Sequence, residues 1–282
     1  MLSPAFQCAQ FYKKINQLQL YTWIIDFKLH RCYSLVKMTT QAKWKIEKNR
    51  IINLPLAEKR KLYRTSEYIT LDDIYTWTKH AKENEHIKTK IRTQDDLNEL
   101  KKIKINPEKN VTLAEKVSIF KGDITKLEID AIVNAANSRL KAGGGVDGAI
   151  HRGAGSMLQD ECNSLGGCPT GEAKVTSAYD LPAKYVIHTV GPQDGSASKL
   201  QSCYENCLAL KNECRFRSIA FPCISTGIYG FPNRLAAHIA LRTVRKFLEN
   251  NDDMERVIFC TFMPVDVDIY ETLMQLYFPV ED

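Results

Sequence analysis

Apolar and polar positions change their rhythm along the chain near Val111. From Val111 onward, short apolar runs alternate with stretches of helical period. Val117–Phe120 and Ala131–Asn134 read as strands, the second apolar throughout and therefore buried. Gly148–Leu165 reads as a helix with Ile150, Ala154, Met157 and Leu158 on one face. Ala173–Ala178 and Tyr185–Val190 read as strands, and Leu200–Cys214 as a helix. Ile219–Ile224 is another apolar strand. Asn233 is placed as the cap of a helix through Glu249, with Leu235, Ile239, Val244, Phe247 and Leu248 as its buried stripe. Arg256–Phe262 gives a last strand and Val267–Phe278 a last helix. Strands alternating with helices predict an α/β fold: a mixed, mostly parallel sheet covered by helices on both faces.

The pattern before Val111 is different. Trp44 to Tyr63 is rich in Lys, Arg and Glu and is broken at Pro55, a residue that interrupts helices. A second helix is expected from Thr70, a suitable N-cap followed by two acids, with Leu71, Ile74, Tyr75 and Thr78 on one face. Residues 84–110, rich in Lys, Asn, Thr and Asp, read as a linker. The expected organisation is therefore a basic extension over 1–43, a helical extension and linker over 44–110, and the α/β domain over 111–282.

Charge sharpens that division. The chain of 282 residues carries a net charge of +6, distributed as +6 over 1–46, +4 over 47–110 and −4 over 111–282. A domain built to bind nucleic acid would show the basic surface on itself, so the counts speak against that role for 111–282. Residues 1–46 are basic and nearly free of acid, which is half of a mitochondrial presequence signature. The other half is missing, because Arg31 is the one arginine and Ser3 and Ser34 the two serines. Met38 is an alternative start, which would make 1–37 an extension. No uninterrupted apolar run reaches about 18 residues, so a transmembrane helix is not expected.

Nine scattered Cys, an odd number with no Cys-x-x-Cys pair, fit a reducing compartment better than a disulfide scaffold. Cys203 and Cys207 share an apolar helical stripe with Leu200, Tyr204 and Leu208, so they are expected in the core. The six His form no ligand spacing, and no metal or cofactor is predicted.

Candidate chemistry gathers in two glycine loops. Asn134-Ala-Ala-Asn137 ends a buried strand, and Gly143-Gly144-Gly145 then precedes a helix beginning near Val146 or Asp147. Glycines let backbone approach an anion, and a helix N-terminus supplies unsatisfied N–H groups. Asp147 and His151 are four apart and share a helix face, so both are expected to look toward the ligand. The second loop, Ser225-Thr226-Gly227-Ile228-Tyr229-Gly230-Phe231-Pro232, also follows a strand, where α/β sheets bind ligands. Two such loops suggest a gripped diphosphate, held by backbone N–H groups and not by Lys or Arg. Gly122-Asp123-Ile124 adds an acid able to accept from an amino group such as that of adenine; a simple capped turn explains it equally well.

Rival motifs fail on their context. Gly143-x-Gly145-x-x-Gly148 matches a dinucleotide fingerprint, but about nine residues separate it from its strand and no ribose-binding acid follows near 165–170. No Gly-Lys-Ser/Thr exists, and Cys223-Ile-Ser225-Thr-Gly227 lacks the first Gly of a nucleophile elbow. His188 reads as a packed strand residue.

Taken together, these stretches resemble the macrodomain family, and most closely its MacroD-type branch of ADP-ribose hydrolases. The matching segments are Gly122-Asp-Ile-Thr, Ala131-Ile-Val-Asn-Ala-Ala-Asn137, Gly143-Gly-Gly-Val-Asp-Gly-Ala-Ile-His151, Tyr185-Val-Ile-His-Thr-Val-Gly-Pro192 and Phe221-Pro-Cys-Ile-Ser-Thr-Gly-Ile-Tyr-Gly-Phe-Pro232. Their order and spacing are more specific than any one motif. The resemblance covers about 111–280, extends loosely back to Trp44, and omits 1–43. It implies a three-layer α/β/α fold binding ADP-ribose at the strand ends. Asp123 would hold the adenine amine, with Gly122 among the ligand-binding residues, Ile124 beside the ring and Phe262 near the adenosine. Ala135, Ala136, Gly143, Gly144, Gly145, Val146 and the loop from Ser225 to Phe231 would hold the rest of the ligand. Asn137 would bond the distal ribose, and Asp147 and His151 would flank its reacting carbon. Ala142 stands where close relatives carry a fourth glycine.

The implied reaction is metal-independent hydrolysis of an ester between the distal ribose and an acyl group. That group would be an Asp or Glu side chain of a modified protein, or acetate in O-acetyl-ADP-ribose. ADP-ribosylated nucleic-acid ends are further candidate substrates. The water would be oriented by Asp147 or by a substrate phosphate. A non-catalytic ADP-ribose reader is the alternative; it needs the loops and Asp123 but not Asn137 or Asp147. A monomer is expected because no exposed apolar heptad is evident, and no membrane partner is expected; the expected setting is nucleus and cytoplasm, in the response to DNA damage. A mitochondrial location follows instead if 1–37 is a presequence.

Overall fold

Successive side chains of a strand point to opposite faces of its sheet, and the buried strands here divide accordingly. Ala131 and Val133 pack on one face with Val257 and Phe259, while Ile132 pairs on the other with Ile258 and Cys260. This is why strands such as Ala131–Ala135 are apolar at every position up to Asn134: both faces are covered. The computed structural model describes residues 43–280.

Residues 43–52 are helical, and from Glu47 onward the chain forms one unit. Its elements in order are α1 (Leu56–Arg60), β1 (Ile69–Thr70), α2 (Trp77–Glu83), α3 (Gln94–Leu100), α4 (Asn110–Ala114), β2 (Val117–Lys121), β3 (Leu127–Glu128), β4 (Ala131–Ala135), α5 (Gly145–Ala154), α6 (Ser156–Ser164), β5 (Ala173–Ser177), β6 (Tyr185–Thr189), α7 (Ala197–Ala209), α8 (Lys211–Cys214), β7 (Ser218–Phe221), α9 (Asn233–Leu248), β8 (Arg256–Thr261) and α10 (Pro264–Tyr277). The main sheet has six strands in the order β2-β8-β7-β4-β6-β5. All its pairings are parallel except β5 with β6. One face is covered by residues of α2, α7, α9 and α10, the other by α5 and α6. The expected mixed, mostly parallel three-layer sheet is thus present, and Cys203 and Cys207 lie in its core.

Several boundaries differ from the sequence expectation, each for a local reason. The helix expected over 148–165 is two helices. Gly155 has φ 83° between them, a backbone state outside the helical region that glycine adopts readily. Asn233 does not cap α9: Pro232 holds that position without a side-chain hydrogen bond, and Asn233 Nδ2 donates to Asp266 Oδ1 at 2.7 Å. The strand expected to reach Ile224 stops at Phe221. Thr70 opens only a single tight turn, Leu71–Asp73, its N–H donating to Asp73 Oδ2 at 2.9 Å; the helix itself starts at Trp77 and is capped by Thr76.

The expected linker is the largest difference. Residues 84–110 contain α3, whose cap Thr93 accepts from Asp96 N while Thr93 N donates to Asp96 Oδ2. Asp96 is 1% exposed. It accepts two bonds from Arg234 at 2.6 and 2.7 Å and contacts His238 Nε2 at 2.9 Å, both on α9. These charge-assisted bonds outweigh its burial and hold its carboxyl well below the usual carboxylate range. Buried Arg245 donates to Asn106 O and Tyr277 O, and Trp77 Nε1 donates to Phe278 O at 2.8 Å. Polar composition made the segment look like a linker, but its polar groups are internal partners. The basic extension expected over 1–43 lies, apart from Lys43, outside the described residues.

Candidate functional site

The two glycine loops meet across a cleft of about 280 Å³ at the C-terminal ends of the parallel strands. It is lined by Ala135, Ala136, Asn137, Gly143, Gly144, Gly145, Val146, Asp147, Cys223, Ser225, Gly227, Ile228 and Tyr229. The loops face each other closely: a Cβ on Gly144 would lie 4.0 Å from Ile228 Cδ1. Ile228 is 87% exposed, an apolar side chain held over the cleft.

Among the described residues, no lysine or arginine lines this cleft. What it offers an anion is backbone. α5 begins at Gly145 with Gly144 as cap and no side-chain hydrogen bond to its first N–H groups. Those donors and the positive end of the helix dipole are therefore available to a phosphate. The opposite loop is set by close packing. Ser225 has φ 66°, and a Cβ on Gly191 would fall 2.0 Å from Ser225 Oγ. Only a residue without a side chain at 191 lets the Ser225 loop sit where it does.

Among the described residues, Asp147 is the one carboxylate lining the cleft. It is 4% exposed. Gly143 N donates to its Oδ2 and Asn134 Nδ2 to its Oδ1, both at 2.6 Å. The carboxylate is thereby fixed in orientation and tied to the glycine loop. Asn134 also bonds His188 Nδ1 at 3.1 Å, and His188 Nε2 meets Thr176 Oγ1 at 2.9 Å. Full burial pushes the His188 pKa down to about 3, so its ring is neutral. Neutral His188 accepts at Nδ1 and donates from Nε2, which fixes Asn134 with its NH₂ toward both Asp147 and His188.

His151 does not line the cleft. It lies one turn below Asp147, with Nε2 3.6 Å from Asp147 Oδ1 and no hydrogen-bond partner. Burial lowers its pKa, against the opposing pull of the Asp147 charge. Burial thus works against a charge on the His151 ring, and the expectation that both side chains look toward the ligand is corrected for His151.

The other expected residues divide. Asn137 lines the cleft, but its side chain also closes its own loop: Nδ2 donates to Lys141 O at 2.5 Å, and Oδ1 accepts from Arg139 N and Lys141 N. One amide N–H stays uncommitted. Asp123 Oδ1 accepts from Thr125 N and Oγ1, the capped turn that explained it without a ligand; its second oxygen is free. Ile124 and Phe231 are buried, while Phe262, just past β8, is 75% exposed. Gly122, Thr226 and Gly230 do not line the cleft. Cys223 does, and the sequence reading missed it.

Asn134 was also missed as a site residue. The signal was there: a polar side chain at the end of an otherwise apolar buried strand asks for a buried partner.

An α/β domain with an open helix N-terminus and a buried carboxylate in the wall of a cleft at its strand ends is the class these features define. The comparisons place it further. The Macro domain profile matches residues 133–240. The chain is 50% identical over 243 residues to ADP-ribose glycohydrolase MACROD2 of Xenopus laevis, covering 84% of this chain and 55% of that protein. It is 46% identical over 254 residues to ADP-ribose glycohydrolase MACROD1 of Rattus norvegicus, covering 87% and 92%. A crystal structure of a Trypanosoma brucei macrodomain in complex with ADP-ribose superimposes with a TM-score of 0.60 at 33% identity, covering 79% of this chain and 88% of that one. The chain belongs to the macro domain family. It spans about half the length of the MACROD2 proteins it matches.

Proposed function

We propose that this protein is a hydrolase that releases mono-ADP-ribose from Asp or Glu side chains of modified proteins and cleaves O-acetyl-ADP-ribose. The observation that carries this reading is Asp147: a charged, oriented carboxylate at the wall of an anion-binding cleft, held by Asn134 and Gly143. The name ADP-ribose glycohydrolase borne by the MACROD relatives supports it. A module that only bound the ligand would gain nothing from a buried carboxylate beside phosphates, because its charge opposes them.

The loops hold the diphosphate through N–H groups, and Asn137 offers its free amide hydrogen to the distal ribose. Asp147 orients water, accepting one of its protons as the oxygen attacks the distal-ribose ester. The ester C–O bond breaks, and the departing oxygen takes the proton. A carboxylic acid and ADP-ribose leave. An ester needs no metal and no covalent nucleophile for this step, and orientation supplies much of the acceleration. His151 and Asn134 act through Asp147 as positioning residues.

The test is release of ADP-ribose from a protein modified on glutamate, with Asp147→Ala beside wild type. Release by wild type and its loss in the variant are expected. No release together with tight ADP-ribose binding would leave the reader in place of the enzyme.

A further inference from the structure

We propose that a groove on the outer side of α5, marked by Arg64 and Arg152, docks the acidic stretch of polypeptide that carries the ADP-ribosyl ester. The proposal rests on the hydrolase reading for the identity of that polypeptide. The groove encloses about 520 Å³, and Gly143, Gly148, His151 and Gln159 line it beside the two arginines. Gly143 also lines the ADP-ribose cleft. The groove therefore begins at the end of the cleft where Asp147 sits, and a chain attached to the distal ribose meets it first.

Its charge is unbalanced. Arg152 is exposed and has neither an ion pair nor a hydrogen bond from its side chain. Its guanidinium folds back over the helix, with Nη1 3.1 Å from where a Cβ on Gly148 would stand. Arg64 sits over Gly155, with Nη2 2.7 Å from that Cβ position, and its Nε donates to Asp180 Oδ2 at 2.8 Å. Seven residues separate Gly148 from Gly155, about 10 Å along a helix axis. That length spans about three residues of extended peptide. Guanidinium forks match carboxylates in bidentate geometry. The neighbouring depression shares Arg64 and Arg152 and adds Asp123 and Asp180.

The test compares two ligands on the full chain carrying Asp147→Ala, which keeps the ester intact. One is an acidic peptide ADP-ribosylated on glutamate, the other free ADP-ribose. The peptide is expected to bind about tenfold more tightly. Arg152→Glu should abolish that advantage and leave ADP-ribose affinity within twofold, which also shows that the variant is folded. Equal affinity for both ligands, or equal loss for both in the variant, overturns the proposal. So does an ADP-ribosylated oligonucleotide that gains more than the peptide from Arg152. These are binding readouts, so a failure of wild type to hydrolyse the ester sinks the enzyme reading alone.

Discussion

Asn134 Nδ2 lies 2.6 Å from Asp147 Oδ1 and 3.1 Å from His188 Nδ1. One amide thus joins the cleft carboxylate to a neutral histidine buried in the sheet. Replacing Asn134 by Asp would put two carboxylates within hydrogen-bonding distance, and like charges there cannot both ionise easily. Asn134→Asp is expected to lower kcat about tenfold or more by turning the Asp147 side chain out of its position. An unchanged kcat would show that Asn134 does not position Asp147 for the reaction.

Burial of His188 also makes stability depend on pH. Its folded pKa, about 3, lies below the ordinary value of 6.5. Below pH 6.5 the unfolded chain therefore binds a proton that the folded one refuses, and stability falls with acidification until about pH 3. The slope from this group is about 1.4 kcal/mol per pH unit. Denaturant unfolding between pH 6.5 and 4.5 should show it, and His188→Gln should flatten the dependence by about that amount. His151 and His238, also lowered by burial, act in the same direction.

The ion pair of Asp96 with Arg234 and its contact with His238 tie α3 to α9. Asp96→Asn removes the charge while leaving the Arg234 guanidinium in place, and should cost about 2–4 kcal/mol in chemical denaturation near pH 7. Because the folded Asp96 pKa is depressed, this contribution is present above pH ~4 and fades below it as the carboxylate protonates. A loss under about 0.5 kcal/mol would mean that α3 is held by other contacts.

Gly191→Ala would drive a methyl to 2.0 Å from Ser225 Oγ and 2.9 Å from Ile224 Cγ2. The Ser225 loop must then move. Calorimetry should show at least about a tenfold loss of ADP-ribose affinity, with a stability cost of about 1–3 kcal/mol. Retained affinity would show that the loop is not part of the phosphate grip.

Much of this protein was set by local sequence. Periods of two and of about 3.6 gave the alternating strands and helices, and Gly143–Gly145 before Asp147 announced an open helix N-terminus after a buried strand. Such features depend on neighbours a few residues apart, so a sequence displays them directly. The Gly155 break was less visible, since one glycine inside an apolar period does not by itself forbid a helix.

What the sequence did not display was decided over long separations. β4 and β6 pair so that Asn134 stands opposite His188, 54 residues on. Both point to the face covered by α5, and this is what places Asn134 under Asp147. Asp96 finds Arg234 and His238 about 140 residues away, which turned an apparent linker into a packed segment. A polar residue looks the same in sequence whether water or a distant side chain will satisfy it. Strand register and helix packing choose the partner, and with it the buried network beneath the candidate catalytic carboxylate.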